Sequence, residues 1–193
     1  MGREFELKYT ATAATQAAIG QAFTGFRQIS METTYFDTND GTLSMRKATL
    51  RLRKENDVTI CTLKTPLPDG SRGEWECQAT DLATGLAALE NLGAPFKILH
   101  LDRHDLIPVC GAKFTRLAAE VATADGTAEL AMDQGILLGG GRQMPLCEVE
   151  VELKTGSDAA TQAFADALAA QYHLQPEKDS KFRRAIRLAK GEL

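Results

Sequence analysis

The sequence lacks any long apolar segment. Of its 193 residues, 44% are hydrophobic and 25% are charged, and no apolar run approaches the ~20 residues that a membrane-spanning helix requires. The opening residues Met1-Gly2-Arg3 are not followed by the apolar core of a secretory signal. These absences predict a cytoplasmic protein without membrane association, and the length predicts one domain over residues 1–193.

Cysteine is scarce, and the four residues present are widely spaced. Cys61, Cys77, Cys110 and Cys147 form no CxxC pair, which is the spacing typical of zinc sites. In the strands predicted below, three of the four fall on the apolar face, where small thiols pack well in a reducing compartment. The cysteines therefore predict buried free thiols rather than a zinc site.

An excess of basic residues is also lacking. The 22 Lys and Arg residues are outnumbered by 26 Asp and Glu residues, which leaves a net charge of −4. This balance argues against a nucleic-acid binder that works through a broad basic surface. No Ser-His-Asp or Cys-His arrangement stands out, and we interpret the i, i+4 pair His100 and His104 as solvated side chains.

What the sequence does contain is a strict alternation of charged and apolar residues. In Glu4-Phe5-Glu6-Leu7-Lys8, a strand would place the two carboxylates and the ammonium on one face and the apolar side chains on the other. The same pattern returns in residues 51–53, 72–77 and 148–154. The sequence therefore predicts several strands with one apolar face and one densely charged face.

Two arrangements of such strands are compatible with this pattern. In the first, a half-exposed antiparallel sheet turns its charged face to water. In the second, the charged faces line the interior of a barrel that binds a charged ligand. Such an interior requires that each charge meets a partner, a metal or a ligand. Phosphate groups together with divalent cations would meet both signs at once.

Motifs along nearly the whole chain resemble those of the CYTH family, the triphosphate tunnel metalloenzymes. The segment from Glu4 to Lys8 resembles the family's ExExK signature. The further matches, in family order, are Tyr35-Phe36-Asp37-Thr38, Leu50-Arg51-Leu52-Arg53, Thr62-Leu63-Lys64, Arg72 to Glu76, Phe114-Thr115-Arg116, Met132-Asp133-Gln134-Gly135, Glu148 to Glu152 and Ser180-Lys181. The resemblance implies an α+β fold, with a closed antiparallel β-barrel (a tunnel) of about eight strands and helices packed outside.

The resemblance also implies which basic residues bind the substrate. A triphosphate needs several fixed cations when it leaves water, and the planar fork of Arg pairs with two phosphate oxygens whereas Lys acts as a point charge. The expected substrate-binding residues are Lys8, Arg51, Arg53, Lys64, Arg72, Arg116 and Lys181. Glu74, Glu76, Glu120 and Glu129 are either functional or simply charge partners of the arginines.

A divalent cofactor, Mg²⁺ or Mn²⁺, follows from the same resemblance, because carboxylates beside phosphates repel them unless a cation lies between. The expected metal ligands are Glu4, Glu6, Asp133, Glu148, Glu150 and Glu152. Lys8, Glu148 and Glu150 are also expected to take part in catalysis. The three glutamates of the 148–152 run share a strand face, so alternation alone does not decide which of them contact an ion.

The implied function is that of an enzyme, a metal-dependent phosphohydrolase acting on phosphoanhydride bonds. Inorganic triphosphate is the favoured substrate. Nucleoside triphosphates, thiamine triphosphate and polyphosphate are other expected ligands. The protein is expected to be a monomer or a homodimer. Two alternatives stay open. A class IV adenylyl cyclase would need a base pocket at one tunnel mouth, and a non-catalytic module would bind polyphosphate or nucleotides without turnover.

Several local expectations complete the interpretation. Thr12, Asp81 and Ser157 are predicted to cap helices, and the segment from Leu43 to Arg46 is predicted to be extended. The chain after Pro176 is rich in charge and has few large apolar residues. We therefore expect the helix from about Asp179 to Ala189 to be weakly held, with its Lys181 acting as a mobile clamp over the tunnel.

Overall fold

One large antiparallel sheet dominates the structure, a computed structural model that describes residues 2–3, 5–67, 72–99 and 106–193. The strands of these residues are β1 (Gly2–Arg3), β2 (Glu6–Thr10), β3 (Arg27–Thr38), β4 (Thr49–Glu55), β5 (Val58–Pro66), β6 (Arg72–Gln78), β7 (Leu106–Ala122), β8 (Thr127–Gly139), β9 (Arg142–Thr155) and β10 (Gln175–Pro176). Apart from the two-residue strands β1 and β10, they number eight, as the sequence predicts. The expectations for Glu4, His100 and His104 lie outside the described residues.

The strands are ordered β1-β6-β5-β4-β3-β7-β8-β9-β2-β10. β1 pairs with β6 at one end of this order, whereas β2, which follows β1 after residues 4 and 5, pairs with β9 near the other end. We call β1 and β2 together the N-terminal bridge, because this stretch of chain spans the two ends of the sheet. Within the described residues, hydrogen bonds do not close the sheet. The α+β class is therefore confirmed, but a hydrogen-bonded closed barrel is not.

Alternation along each strand assigns the two faces of the sheet. On β9, Val149 and Val151 are fully buried and pack in one apolar cluster with Ile19 and Leu168. Since successive side chains point to opposite faces, the glutamates between these valines point the other way. The apolar faces thus pack against helices, and the charged faces are left to surround the interior.

The helices of the described residues are α1 (Ala13–Ala22), α2 (Thr42–Met45), α3 (Leu82–Asn91), α4 (Phe96–Leu99), α5 (Asp158–Tyr172) and α6 (Lys181–Lys190). Thr12, Asp81 and Ser157 cap α1, α3 and α5 by accepting backbone N–H bonds, as predicted. None of the helices described has the length and apolar character that crossing a bilayer requires.

The prediction of extended chain from Leu43 to Arg46 is wrong, because α2 occupies most of this segment. The buried carboxylate of Asp37 accepts backbone N–H bonds from Thr38, Leu43 and Ser44 at 2.8, 2.8 and 3.0 Å. These bonds curl the chain into one helical turn after β3. Leu43 is fully buried as a result. The prediction of an extended segment did not include this burial.

The expectation that the C-terminal helix is weakly held is also wrong. Ala185 and Leu188 are buried on α6, and Ala185 belongs to an apolar cluster with Leu137 of β8. The helix approaches the β8–β9 turn so closely that a Cβ at Gly139 would lie 2.3 Å from the Ala185 carbonyl oxygen. Small residues therefore let α6 pack closely against the β8–β9 turn, although the helix has few large apolar side chains.

Candidate active site

The sheet wraps around a cavity of about 560 Å³, within the ~300–1,000 Å³ typical of small-molecule sites. Side chains from all eight longer strands, β2 to β9, line it, and α6 contributes Lys181 and Phe182. Strands from both ends of the sheet order therefore face a common interior. The charged faces thus line an interior, as in the second of the two arrangements that the charge pattern allowed, although hydrogen bonds among the described residues do not close the sheet into a barrel.

Three adjacent strands carry a group of carboxylates at this cavity. We call this set the acidic wall; it consists of Glu6 on β2, Glu129 on β8, and Glu150 and Glu152 on β9, which line the cavity, together with Asp133 on β8 and Glu148 on β9, which are fully buried. Strand pairing brings its members side by side, because Glu6 pairs with Glu152 and Asp133 pairs with Glu148. Lys8 pairs with Glu150, so one cation is also fixed in this register.

The facing set of cations belongs to three other adjacent strands. We call Arg51 and Arg53 on β4, Lys64 on β5 and Arg72 on β6 the basic wall; all four line the cavity. Arg53 pairs with Glu55, and Lys64 lies 3.3 Å from Glu74. Burial, reinforced by the charge of Arg51, lowers the pKa of the Arg53 guanidinium. The basic wall is therefore a place where cations are crowded together.

Three carboxylates of the acidic wall, Asp133, Glu148 and Glu150, converge on one amine. We call them the carboxylate trio. The Nζ atom of Lys181 lies 2.8 Å from Asp133 Oδ2, 2.6 Å from Glu148 Oε2 and 2.5 Å from Glu150 Oε1. Asp133 and Glu148 are fully buried, and Glu150 is 6% exposed. The ammonium of Lys181 is thus enclosed by three anions in a nearly dry environment.

The ionisation of these groups reflects burial and the neighbouring charges together. Burial would raise the pKa of Glu150, but the charges of Lys181, Arg116 and Lys8 outweigh it and lower that pKa. For Glu148, burial prevails over the opposing charge of Lys181 and raises the pKa. Burial would lower the pKa of Lys181, yet the trio holds it well above its ordinary value. Lys181 therefore stays charged at every physiological pH.

Two arginines also contact the trio. Arg116 on β7 donates two parallel hydrogen bonds to Asp133, from Nε to Oδ1 and from Nη2 to Oδ2, both at 2.7 Å. It also pairs with Glu150. Arg184, one turn after Lys181 on α6, pairs with Glu148. Arg116 and Lys181, which we predicted as phosphate ligands, thus contact the trio.

The remaining predicted residues lie elsewhere in the cavity. Glu152 bonds to the Lys154 ammonium at 2.9 Å and does not belong to the trio. Glu6 lies 3.8 Å from the Lys8 ammonium. Alternation placed Glu148, Glu150 and Glu152 on one strand face. In the structure they differ in their ion-pair partners, because Glu148 and Glu150 contact Lys181 whereas Glu152 contacts Lys154. Their roles in binding and catalysis, like those of the basic residues, remain predictions.

Sequence reasoning missed two residues that shape the trio. Gln16 on α1 is buried, and its Nε2 donates hydrogen bonds to the backbone oxygens of Asp133 and Glu148 at 3.0 and 2.8 Å. It joins β8 to β9 at the point where the trio begins. Arg184 was not distinguished from the other charged residues that follow Pro176. Its i, i+3 spacing from Lys181 was the signal that both side chains point the same way.

The carboxylate trio has the chemistry of a divalent-metal site. The three residues offer one oxygen each within 4.8 Å of one another, and Mg²⁺ and Mn²⁺ prefer hard oxygen donors of this kind. The residues present therefore fit a divalent ion.

Comparisons with known proteins agree with this geometry. Residues 2–186 match the CYTH domain family. The inorganic triphosphatase of Haemophilus influenzae is 27% identical over 197 residues, which covers 97% of this chain and 55% of that protein. The chain thus spans about half the length of this relative.

Solved structures share the fold. A candidate adenylate cyclase from Bacillus halodurans superposes with a TM-score of 0.70 at 20% identity, covering 95% of this chain and 98% of that one. A Hippeastrum protein, described as a candidate adenylyl cyclase with a dominant triphosphatase activity, gives a TM-score of 0.62 at 19% identity, covering 98% and 97%. Because the family match extends over nearly all of the sequence, the chain belongs to the CYTH domain family.

Proposed function

We propose that this protein is a metal-dependent triphosphatase that hydrolyses inorganic triphosphate. The observation that carries the proposal is the presence of an acidic and a basic wall around one cavity. A phosphate chain with a bound divalent ion presents charges of both signs, so it complements both walls at once. The similarity to the Haemophilus influenzae inorganic triphosphatase supports this choice of substrate.

Substrate binding is assigned to the basic wall. The guanidinium groups of Arg51, Arg53 and Arg72 are suited to pair with two phosphate oxygens each, and Lys64 adds a point charge. An anion between Arg51 and Arg53 would also relieve the repulsion that lowers the pKa of Arg53. Binding of a polyanion would therefore lower the electrostatic repulsion among the cations of the basic wall.

The acidic wall is assigned to the metal. The carboxylate trio would hold a divalent ion, with Glu6 and Glu152 on the same wall and Glu4 as a further expected ligand. When bound, the ion neutralises phosphate charge and helps an attacking water to become nucleophilic. Glu150, with its lowered pKa, stays ionised as a ligand. Lys8, paired with Glu150 in the strand register, is assigned to balance the charge on the departing phosphate.

The test is a phosphate-release assay over triphosphate, ATP and thiamine triphosphate, each with Mg²⁺, with Mn²⁺ and with EDTA. We expect the highest kcat/KM with inorganic triphosphate and no release in EDTA. Formation of cyclic AMP from ATP would favour the cyclase alternative instead. Binding of triphosphate without any product would favour a non-catalytic module.

A further inference from the structure

Every member of the carboxylate trio already contacts a cation of the protein. Lys181 contacts all three, Arg116 contacts Asp133 and Glu150, and Arg184 contacts Glu148. A divalent ion bound by the same three carboxylates would meet the Lys181 ammonium at close range in a buried region, where like charges repel strongly. Entry of the ion is therefore unfavourable unless one of the three resident cations moves away.

Lys181 is the cation that can leave. Arg116 is fixed by two parallel hydrogen bonds to Asp133, and Arg184 is held between Glu148 and Glu177. Lys181 contacts the trio through a single atom at the end of a flexible chain. It also lines the cavity together with Glu150, whereas Asp133 and Glu148 are fully buried. The ammonium thus stands between these two carboxylates and the cavity.

We propose that Lys181 is an internal counterion that occupies the metal position of the free protein and is displaced when a divalent ion enters with an anion. The displaced ammonium turns toward the cavity, where the anion receives its charge. That this anion is a triphosphate rests on the proposed function. The consequence is that metal and anion assist each other's binding, and that the metal alone binds weakly.

The first test measures Mn²⁺ binding to the metal-free protein, without any phosphate, from the electron paramagnetic resonance signal of the free ion. We expect Lys181→Met to bind Mn²⁺ at least tenfold more tightly than the wild type, because the ion no longer competes with the ammonium. Arg187→Gln is the matched control, since Arg187 lies on the same helix and pairs with Asp179 instead of the trio. Equal affinities in wild type and Lys181→Met would overturn the proposal.

The second test measures how strongly metal and anion are coupled. A methylene-bridged triphosphate that resists hydrolysis should raise the Mn²⁺ affinity of the wild type by at least tenfold. In Lys181→Met this increase should be several-fold smaller, because no ammonium remains to be transferred to the anion. The same increase in both proteins would contradict the displacement.

A buried trio without its ammonium is expected to strain the fold. If Lys181→Met does not fold in EDTA, millimolar Mn²⁺ should restore folding as seen by circular dichroism, because the ion takes the place of the ammonium. A variant that stays unfolded with Mn²⁺ would refute the idea. Both tests are independent of turnover. A protein that hydrolyses no triphosphate but shows these binding shifts would refute the proposed function and leave the counterion role intact.

Discussion

The acidic and basic walls face the same cavity but satisfy their charges in different ways. In the acidic wall, Asp133 and Glu148 are fully buried and their ion pairs are made within the protein. In the basic wall, the paired side chains of Arg53 and Lys64 remain 16% and 18% exposed. The carboxylate trio of the acidic wall is therefore paired within the protein and almost dry. Glu6 and Glu152 of the same wall, like Arg53 and Lys64, keep partial contact with the cavity.

The difference indicates how each wall responds to a ligand. Cations with partial access to the cavity can accept an anion without losing an internal partner. Carboxylates that are already paired can accept a metal only by exchange of partners, and exchange depends on what becomes of the displaced cation. Stability should therefore depend mainly on the acidic wall, and affinity for the anion mainly on the basic wall.

The largest expected effect is on stability when the trio is broken. Glu150→Gln removes an anion that pairs with both Lys181 and Arg116. Breaking a buried ion pair typically costs about 3–5 kcal/mol, and we expect a loss of this size in urea unfolding of the metal-free protein. Glu32→Gln is the control, since Glu32 forms an exposed pair with Lys113. A loss below ~1 kcal/mol would show that the trio does not hold the fold.

Next in size is the effect of Glu6→Gln on turnover. Glu6 is a quarter exposed, so its loss should cost the fold less than the loss of a buried member of the trio. Removing one group that stabilises a charged transition state typically costs ~10²–10³ in rate, and we expect a fall near the lower end. The measurement is triphosphate hydrolysis across a magnesium titration. Rates within threefold of wild type would remove Glu6 from the metal site.

A smaller effect is expected for Arg53→Gln in the basic wall. The kcat/KM for triphosphate should fall roughly tenfold, because one charge-assisted pair with phosphate is lost. The melting temperature of the unliganded protein should hold or rise, since the variant relieves repulsion from Arg51 and the buried Nε of Arg53 has no hydrogen-bond partner among the described residues.

The neighbouring Lys54→Gln serves as the control for Arg53, because Lys54 is exposed on the opposite strand face. It should change neither kcat/KM nor melting temperature. A marked loss of unliganded stability in Arg53→Gln, with unchanged kcat/KM, would reverse the comparison between the walls.

The pH dependence of stability should report how two carboxylates of the acidic wall, Glu148 and Glu150, ionise. Glu150 has a lowered pKa in the folded state, so its contribution is present above the unfolded carboxyl pKa of ~4.3 and is lost as pH falls toward the folded value. Glu148, whose pKa is raised, contributes with the opposite sign as pH rises above that range. We expect urea unfolding in EDTA between pH 3 and 6 to show a shallower acid loss in Glu150→Gln than in wild type.

The last prediction concerns the cysteines, which lie outside both walls. Burial, together with nearby Cys77 for Cys61 and nearby Asp37 for Cys110, raises the pKa of both thiols to about 12. Because an ordinary thiol has a pKa of ~8.5, the thiolate fraction at pH 8 is lowered roughly 10³-fold. Alkylation followed by mass spectrometry should label both positions far more slowly in the folded protein than in urea. Rapid labelling of Cys61 in the native state would contradict this burial.

Alternation was the part of the sequence from which most of the site could be predicted. A period of two fixes the face of every residue once a strand is recognised, so the charged residues of β2, β4 and β9 could be assigned to one face of the sheet. That this face lines an interior was predicted from the family resemblance. The partners within that interior could not be predicted, because Lys181 and Arg184 reach the trio only through the docking of α6. That docking depends on Gly139, where any Cβ atom would collide with the Ala185 backbone of α6. The sequence pattern does not reveal this contact.

Asp37 is a second residue whose structural role the sequence pattern did not predict. Its motif, Tyr35-Phe36-Asp37-Thr38, was recognised, but its position on a strand suggested neither a cap nor a turn. The carboxylate instead binds the backbone of the following turn and creates α2. Contacts of this kind compete with extended structure through local hydrogen bonds, and alternation carries no information about them.

The N-terminal bridge bears on the order in which the molecule assembles. The strand pairs β4–β5, β5–β6, β7–β8 and β8–β9 join neighbours in the chain, and such local contacts close at little entropic cost. The bridge instead pairs Glu6 with Glu152 and Gly2 with Glu74, partners that are far away in the sequence. We expect the pairs of neighbouring strands to form early and the bridge, which links the two ends of the strand order, to pair late, so that the cavity is completed only in the last step of folding.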